Sequence, residues 1–375
     1  MTKVKLGDVA FEYKGKLAGA TKSVGLEHLS QGDVDLLGYD EGGDNTFTKA
    51  FKEGQVLFGR RRAYLKKASV APFEGVCSGD LICIEAKEGL LSSRLLPFVI
   101  QNDNLFDFAV ENSAGSLSPR VKWSSLAEYE FNLPDMRKQE ELAELLWAAQ
   151  ELKRQYKKLL SANDEIVKSR FVEMFGDLTR ERQGWEYKEL GEICGIITGN
   201  TPAKKHPEYY GDYVEWIKTD NISKESVVTT AAVCLSEKGA EVGRLVPAGS
   251  VLMCCIAGSV KSIGKVALTD RTVAFNQQIN ALVPGETIRS QFLLWMLRST
   301  KGYLCRNVNM QLKGILNKTT LSKKEYSVPP LDLQDEFVQF ISQVDKSGFA
   351  LKQAIVDLGS MMSALLNEEL GLGNV

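Results

Sequence analysis

In two long stretches of this chain, residues 134–176 and 329–375, apolar side chains return every three or four positions. In the first, Leu142, Leu145, Ala149, Leu152, Tyr156, Leu159 and Ile166 keep that spacing, and polar Asn163 interrupts it once. In the second, Phe337, Ile341, Val344, Leu351, Ile355, Leu358, Met362 and Leu365 keep it, with Gly348 in the gap. A stripe of that period marks an amphipathic helix, and one so apolar must be covered. Two such helices in one chain predict an intramolecular coiled coil, each rod spanning about 60 Å for about 40 residues at 1.5 Å rise. The alternative is that each helix packs on its own globular unit.

Elsewhere the period changes. Short β-branched and apolar runs (VLFG, LICIE, VLMCCI, INALV) alternate with glycine and charged turns, the pattern of strands. Helical spacing returns in LLSSRLLPFVIQN and SQFLLWMLRST, at matching places in the two halves. The matching extends further: LGDV at 6–9 resembles LGEI at 190–193, GQVLF at 54–58 resembles GSVLM at 249–253, and LPDMRKQEELAELL at 133–146 resembles VPPLDLQDEFVQFI at 328–341. Pro134 and Pro329, like Gln139 and Gln334, are offset by 195, whereas the LG pairs are offset by 184, so eleven extra residues lie between Ile193 and Gly249. Each proline ends a strand, because it has no amide to extend a ladder, and it tolerates the first turn of a helix. The pattern predicts a pseudo-twofold internal repeat of α/β (α+β) domains with mixed, largely antiparallel sheets, divided as 1–133, helix 134–176, 177–328 and helix 329–375.

Composition narrows the function. With 44% hydrophobic and 25% charged residues the chain is ordinary globular protein. Its net charge of −2 conceals a gradient. Residues 330–375 carry two lysines against seven acids, −5, and residues 135–175 balance eight bases against eight acids, so the remainder carries +3. The globular parts therefore lean basic. The seven cysteines form no Cys-x-x-Cys pair and suit reduced, buried thiols, so no metal is expected. MTKVKLGDV lacks the apolar core of a signal peptide and no run of eighteen apolar residues exists, so a cytoplasmic protein with no membrane contact is expected. With only His28 and His206, a histidine triad or multi-histidine metal site has little material. GSVKSIGKV at 258–266 fails as a phosphate loop: five residues, not four, separate Gly258 from Gly264, and Val266 stands where a hydroxyl should bind magnesium. There is no Gly-x-Gly-x-x-Gly, no Gly-x-Ser-x-Gly, and no Asn-Pro-Pro-aromatic signature of adenine methyltransferases. The expectation is a chain that is not itself an enzyme and needs no cofactor.

What remains is a surface suited to DNA. FGRRRAYLKK gathers Arg60, Arg61, Arg62, Lys66 and Lys67 around Tyr64. Arginine's planar fork matches guanine or phosphate, and lysine supplies a point charge. The equivalent stretch of the second copy, CIAGSVKSIGK, offers Ser259, Lys261 and Lys265. A further loop before each long helix supplies Ser116, Ser118 and Arg120 in the first copy and Gln311, Lys313, Asn317 and Lys318 in the second. The stretch TPAKKHPEYYGDYVEWIKTDNI adds Lys204, Lys205, Tyr209, Tyr210, Lys218 and Asn221, its aromatics better suited to packing. Ordinary solvated loops have similar compositions. A scaffold binding only protein, or an enzyme acting on DNA through an unrecognised site, therefore stands beside the DNA-reading interpretation.

With these residues in view, the chain resembles the specificity subunit of type I restriction-modification systems. The resemblance rests on the twice-used LGDV/LGEI opening, TGNTP at 198–202, the IKTDNI block, AFNQQINALVP at 274–284, FVEMFGD at 171–177 and SVPPLDLQDEF before the last helix. The first copy lacks the tryptophan and the TGNTP of the second. The resemblance implies two target-recognition domains, each reading one half of a split, asymmetric double-stranded DNA sequence, separated by two antiparallel helices of fixed length. It also implies two modification (methyltransferase) subunits that bring S-adenosylmethionine and grip the helices, and restriction (endonuclease/translocase) subunits that join later.

Overall fold

The computed structural model describes residues 1–17, 20–42, 46–223, 226–259, 261–306, 308 and 314–372. It divides into two units, Met1–Lys158 with Leu351–Val375, and Leu159–Ala350. Two helices, Met136–Phe175 and Leu331–Glu369, each contribute to both.

Each unit is α+β and opens in the same way. In the first, strand Thr2–Lys5 pairs antiparallel with Glu130–Leu133 and runs into the turn Leu6–Val9. In the second, Glu186–Glu189 pairs with Glu325–Val328 and runs into Leu190–Ile193. The repeated LG[D/E] sequence now has a physical cause. The leucine and the final Val9 or Ile193 are buried. Asp8 accepts the Lys5 amide at 3.1 Å and Glu192 accepts the Glu189 amide at 2.8 Å, satisfying donors that a helix start leaves open. The glycine is a close approach: a Cβ at Gly7 would stand 2.9 Å from the Ala127 Cβ, and one at Gly191 3.0 Å from that of Ser322.

Both units then build the same two sheets. A four-stranded antiparallel sheet takes the order 10–12, 81–86, 56–59, 68–70 in the first unit and 194–198, 279–284, 251–254, 266–268 in the second. A mixed sheet in each contains a parallel strand pairing, Ser23 beside Val76 and Trp216 beside Ala274. One predicted helix is shorter than its period suggested. The stretch 90–102 gives only Leu96–Ile100, with Pro97 in the first turn, and Asn102 caps a separate helix, Asp103–Glu111, by accepting the Asn104 amide at 2.9 Å.

The repeated glutamine is a buried clamp. Gln139 donates to the carbonyls of Pro134 (2.9 Å) and Leu90 (3.2 Å) and accepts the Ser92 amide (2.9 Å). Gln334 donates to Pro329 (2.8 Å) and Thr287 (3.0 Å) and accepts the Arg289 amide (2.9 Å). Each amide is fully employed, as a buried amide must be, and it fastens the start of a long helix to the loop ahead of a shorter one.

Within each unit the two helical segments pack antiparallel. In the first unit Lys138 pairs with Glu369 at 2.9 Å, and Leu142, Ala143 and Leu146 share a core with Leu366 and Leu370. In the second, Arg170 meets Glu336 at 2.9 Å and the Phe171 ring stands edge-on to Phe337, centroids 5.3 Å apart. The expected seam needs correction on the first helix. Leu142 is buried, but Leu145, Leu152, Leu159 and Ile166 are 56%, 37%, 53% and 48% exposed. The face turned inward carries Leu142, Ala143, Leu146, Gln150, Lys153, Val167, Phe171 and Phe175. Two of these are polar, so a search for apolar periodicity settled on the wrong face. On the second helix Phe337 and Ile341 are buried, and Val344, Leu351, Ile355, Leu358, Met362 and Leu365 are half-buried. The two interruptions of the pattern meet in the second unit, where a Cβ on Gly348 would stand 3.2 Å from the Asn163 amide nitrogen. By length and composition alone, Leu331–Glu369 is also apolar enough to cross a membrane, its window having a mean hydropathy of 1.3.

The first unit adds a charged clasp. Lys153 and Lys157 reach Asp33 at 3.3 and 2.6 Å, and Arg154 reaches Asp35 at 2.6 Å. Burial would raise the Asp33 pKa, but the Lys157 hydrogen bond and the charges of both lysines outweigh it and hold it at about 2.

Candidate nucleic-acid interface

In each unit the strand ending at Gly59 or Cys254 releases a loop that is then caught by the loop preceding the long helix. In the first, Arg61 and Arg120 form an antiparallel bridge, the Val121 amide donates to the Arg60 carbonyl at 3.0 Å, and the Arg60 amide donates to Asp80 at 3.0 Å. In the second, Ile256–Ala257 pairs with Gly314–Ile315, the Leu316 amide donates to Cys255 at 2.8 Å, and the Cys255 amide donates to Gln278 at 2.8 Å. The two candidate loops of each copy, far apart in sequence, thus make one surface. Ile256 and Ile315 stand 195 residues after Arg61 and Arg120, and Gln278 takes the place of Asp80.

The first surface is ionic. Asp80 accepts from Arg120 Nε at 2.8 Å and from Arg61 Nη1 at 3.2 Å, while Arg61 Nη2 reaches Ser118 Oγ at 3.2 Å. Burial pushes the Asp80 carboxyl up, but hydrogen bonds from Arg120 and Arg61 outweigh it and leave it below the usual aspartate value. Arg62 and Lys66 adopt left-handed backbone angles, φ +55° and +49°, a conformation non-glycine residues rarely take. Between them the turn Ala63–Leu65 buries Ala63 and exposes Tyr64. Three of the cations have work inside the fold. Arg60 Nε donates to the Val121 carbonyl at 3.1 Å, Lys66 pairs with Asp103 at 2.6 Å, and Lys67 donates to the Leu26 carbonyl at 3.0 Å. Arg62 and Ser116 are exposed, and Arg62 has no side-chain hydrogen bond or ion pair among the described residues.

The second surface is amide-rich and apolar. Ile315 is 58% exposed, and Gln277 and the Thr201 hydroxyl are hydrogen-bonded, tying TGNTP to AFNQQIN. Ser259 bonds Ser262 at 2.9 Å, Lys261 and Lys318 are exposed, and Lys265 is half-buried. Other candidates are structural. Asn317 caps the helix Lys318–Ser322, and Asn221 accepts the Lys218 amide at 3.0 Å while donating to Thr230 at 3.0 Å. Lys218 lies over the Trp216 ring, 5.0 Å from its centroid, and Tyr210 donates to the Pro202 carbonyl at 2.7 Å. Lys204 and Lys205 are exposed on the loop before His206. Gln311 and Lys313 lie outside the described residues.

Sequence reading passed over Asp80 and Gln278. An acid beside a DNA-seeking cluster is counted against binding, and the signal that marks both is position: each stands immediately before the matched strands LICIE and INALV.

Comparison with known proteins completes the picture. The family model for the type I restriction modification DNA specificity domain matches residues 182–357. The HindI specificity subunit of Haemophilus influenzae is 29% identical over 197 residues, covering 50% of this chain and 42% of that protein. The EcoDI specificity subunit of Escherichia coli is 24% identical over 200 residues, covering 51% and 44%. The matched region therefore spans less than half the length of those relatives. A chain from a structure described as "Structural basis underlying complex assembly and conformational transition of the type I R-M system" superposes with a TM-score of 0.60 at 18% identity, covering 98% of this chain and 97% of that one. The crystal structure of the type I restriction-modification S subunit from M. genitalium gives 0.52 at 13% identity, covering 100% and 96%. At those identities the superpositions speak for the fold.

Proposed function

We propose that this chain is a specificity subunit like those of type I restriction-modification systems, to which residues 182–357 are similar, and that it reads a two-part double-stranded DNA sequence, one part with each unit. The observation that carries this reading is the same loop pairing in both units, presenting side chains at one matched place on a duplicated frame. Direct contacts at those loops would specify bases, and exposed cations such as Arg62, Lys261 and Lys318 would hold phosphates. Catalysis would fall to partner subunits in the cytoplasm, with S-adenosylmethionine bound by the modification subunits and the restriction subunits joining the same assembly.

The exposed leucines of the first long helix support a docking role. Leu145, Leu152, Leu159 and Ile166 recur at seven-residue intervals, the period with which one helix meets another. We take them, with the apolar face of the second helix, as the surface for two modification subunits. A membrane is the weaker reading of that second helix, because its ends belong to folded cores through Phe337 and Ile341 at one end and Leu366 and Leu370 at the other.

The test is to co-express the chain with its modification subunits and map methylated bases genome-wide. A split motif is expected. Inserting four residues into each long helix should widen its gap by roughly two base pairs, since about 6 Å of helix is added and base pairs rise by about 3.4 Å. An unsplit motif, or a gap unmoved by the insertion, contradicts the reading.

A further inference from the structure

Two arginines and one carboxylate in the first unit form an arrangement more specific than a basic patch. Asp80 is only 21% exposed and engages Arg120 through Nε, at 2.8 Å. The two terminal nitrogens of Arg120 make no hydrogen bond among the described residues, and its side chain is 47% exposed. Arg61 is differently placed: both its terminal nitrogens are occupied, one by Asp80 and one by Ser118. It therefore supports the carboxylate and the neighbouring loop, whereas Arg120 has a free planar edge with two parallel donors.

A bidentate fork needs two acceptors side by side. On a base pair's major-groove edge only guanine offers them, at O6 and N7, and its partner cytosine presents an amino donor that a carboxylate can accept. A phosphate could also use the fork, but it would not need a carboxylate 2.8 Å from the arginine, whose charge repels it. We propose that Arg120 reads a guanine in the half-site of the first unit, with Asp80 as the positioning residue that fixes the plane of its guanidinium. This inference rests on the DNA-reading function proposed above. The second unit has Ile315 and Gln278 at these places, so among the described residues no equivalent fork stands there, and that unit provides an internal control.

The experiment is a selection of bound duplexes from a random library, using the full chain in complex with its modification subunits, for the wild type, Arg120→Lys and Asp80→Asn. Lysine keeps the charge but not the fork, and asparagine keeps the shape of Asp80 but not its charge. The expected result is a wild-type motif with a guanine fixed at one position of one half. Both variants lose the preference at that position alone, bind the wild-type site roughly ten- to a hundredfold more weakly, and retain the other half unchanged. Arg120→Lys should also leave the salt dependence of binding where it was. If Arg120→Lys retains the fixed guanine, or if its preferences fall evenly across both halves, Arg120 does not read that base and the inference is overturned. If the wild type selects no motif at all, the DNA-reading function itself fails.

Discussion

At one matched place the two units present opposite chemistry. The first has Arg61, Arg120 and Asp80, a compact ionic group; the second has Ile256, Ile315 and Gln278, held by the same backbone bonds. Around them, the capped opening turn, the glutamine clamp and the parallel strand pair of the mixed sheet are kept. Duplication thus preserved what the backbone requires and left free the side chains that face outward. A frame fixed by the same buried backbone and glutamine hydrogen bonds can carry either surface, each with its own side-chain ties to it.

That contrast can be broken first at the frame. Phe337 and Leu142 occupy the same repeat position and are both buried, Phe337 among the rings of Phe171, Phe175 and Phe292. Phe337→Ala should cost about 3–5 kcal/mol and Leu142→Ala about 2–5 kcal/mol, read by urea unfolding. A neutral result for either would mean the frame is not shared.

The next effect belongs to the first unit alone. Asp33, held at about 2 against an ordinary 3.8, contributes stability that is present above the unfolded pKa and is lost as pH falls through the folded one. The contribution is about 2 kcal/mol. The second helix has Asp345, Gly348, Phe349 and Lys352 at the places of Gln150, Lys153, Arg154 and Lys157, so the same clasp cannot form there. Unfolding of the first unit should therefore steepen between about pH 4 and pH 2, and Asp33→Asn should remove that dependence. Equal acid sensitivity in wild type and variant would show that the clasp is idle.

Arg62 sharpens the comparison at the surface. Its second-copy counterpart at offset 195 is the buried Ala257. Arg62→Ala should weaken binding of all DNA sequences alike and lower the salt slope by about one, if it holds a phosphate. A changed motif with an unchanged slope would instead make it a base reader. The smallest effect is expected at the exposed stripe, where Leu152→Ser and Leu159→Ser should change the stability of the isolated chain by no more than about 0.5 kcal/mol. In co-purification the same variants should release the modification subunits; retention would place the docking surface elsewhere.

Much of the frame was legible because its causes are local. Proline, glutamine and the LG[D/E] turns repeat with fixed offsets, and the long helices declare themselves by period. The misread face of the first helix has a physical origin. Gln150 and Lys153 are buried there because Asp33 and Asp35, more than a hundred residues earlier, supply partners that no local pattern reveals. The candidate surface was half legible for the same reason. Arg60, Arg61, Arg62, Ser118 and Arg120 were visible as types, but the bridge that joins them and the carboxylate that orders them come from three separate segments.

The most direct measurement is the full motif that the wild-type assembly selects from random duplexes. Two unlike surfaces on one repeated frame predict two different blocks of fixed bases with an unread gap between them. Two identical halves in inverted order, or one uninterrupted block, would contradict the account.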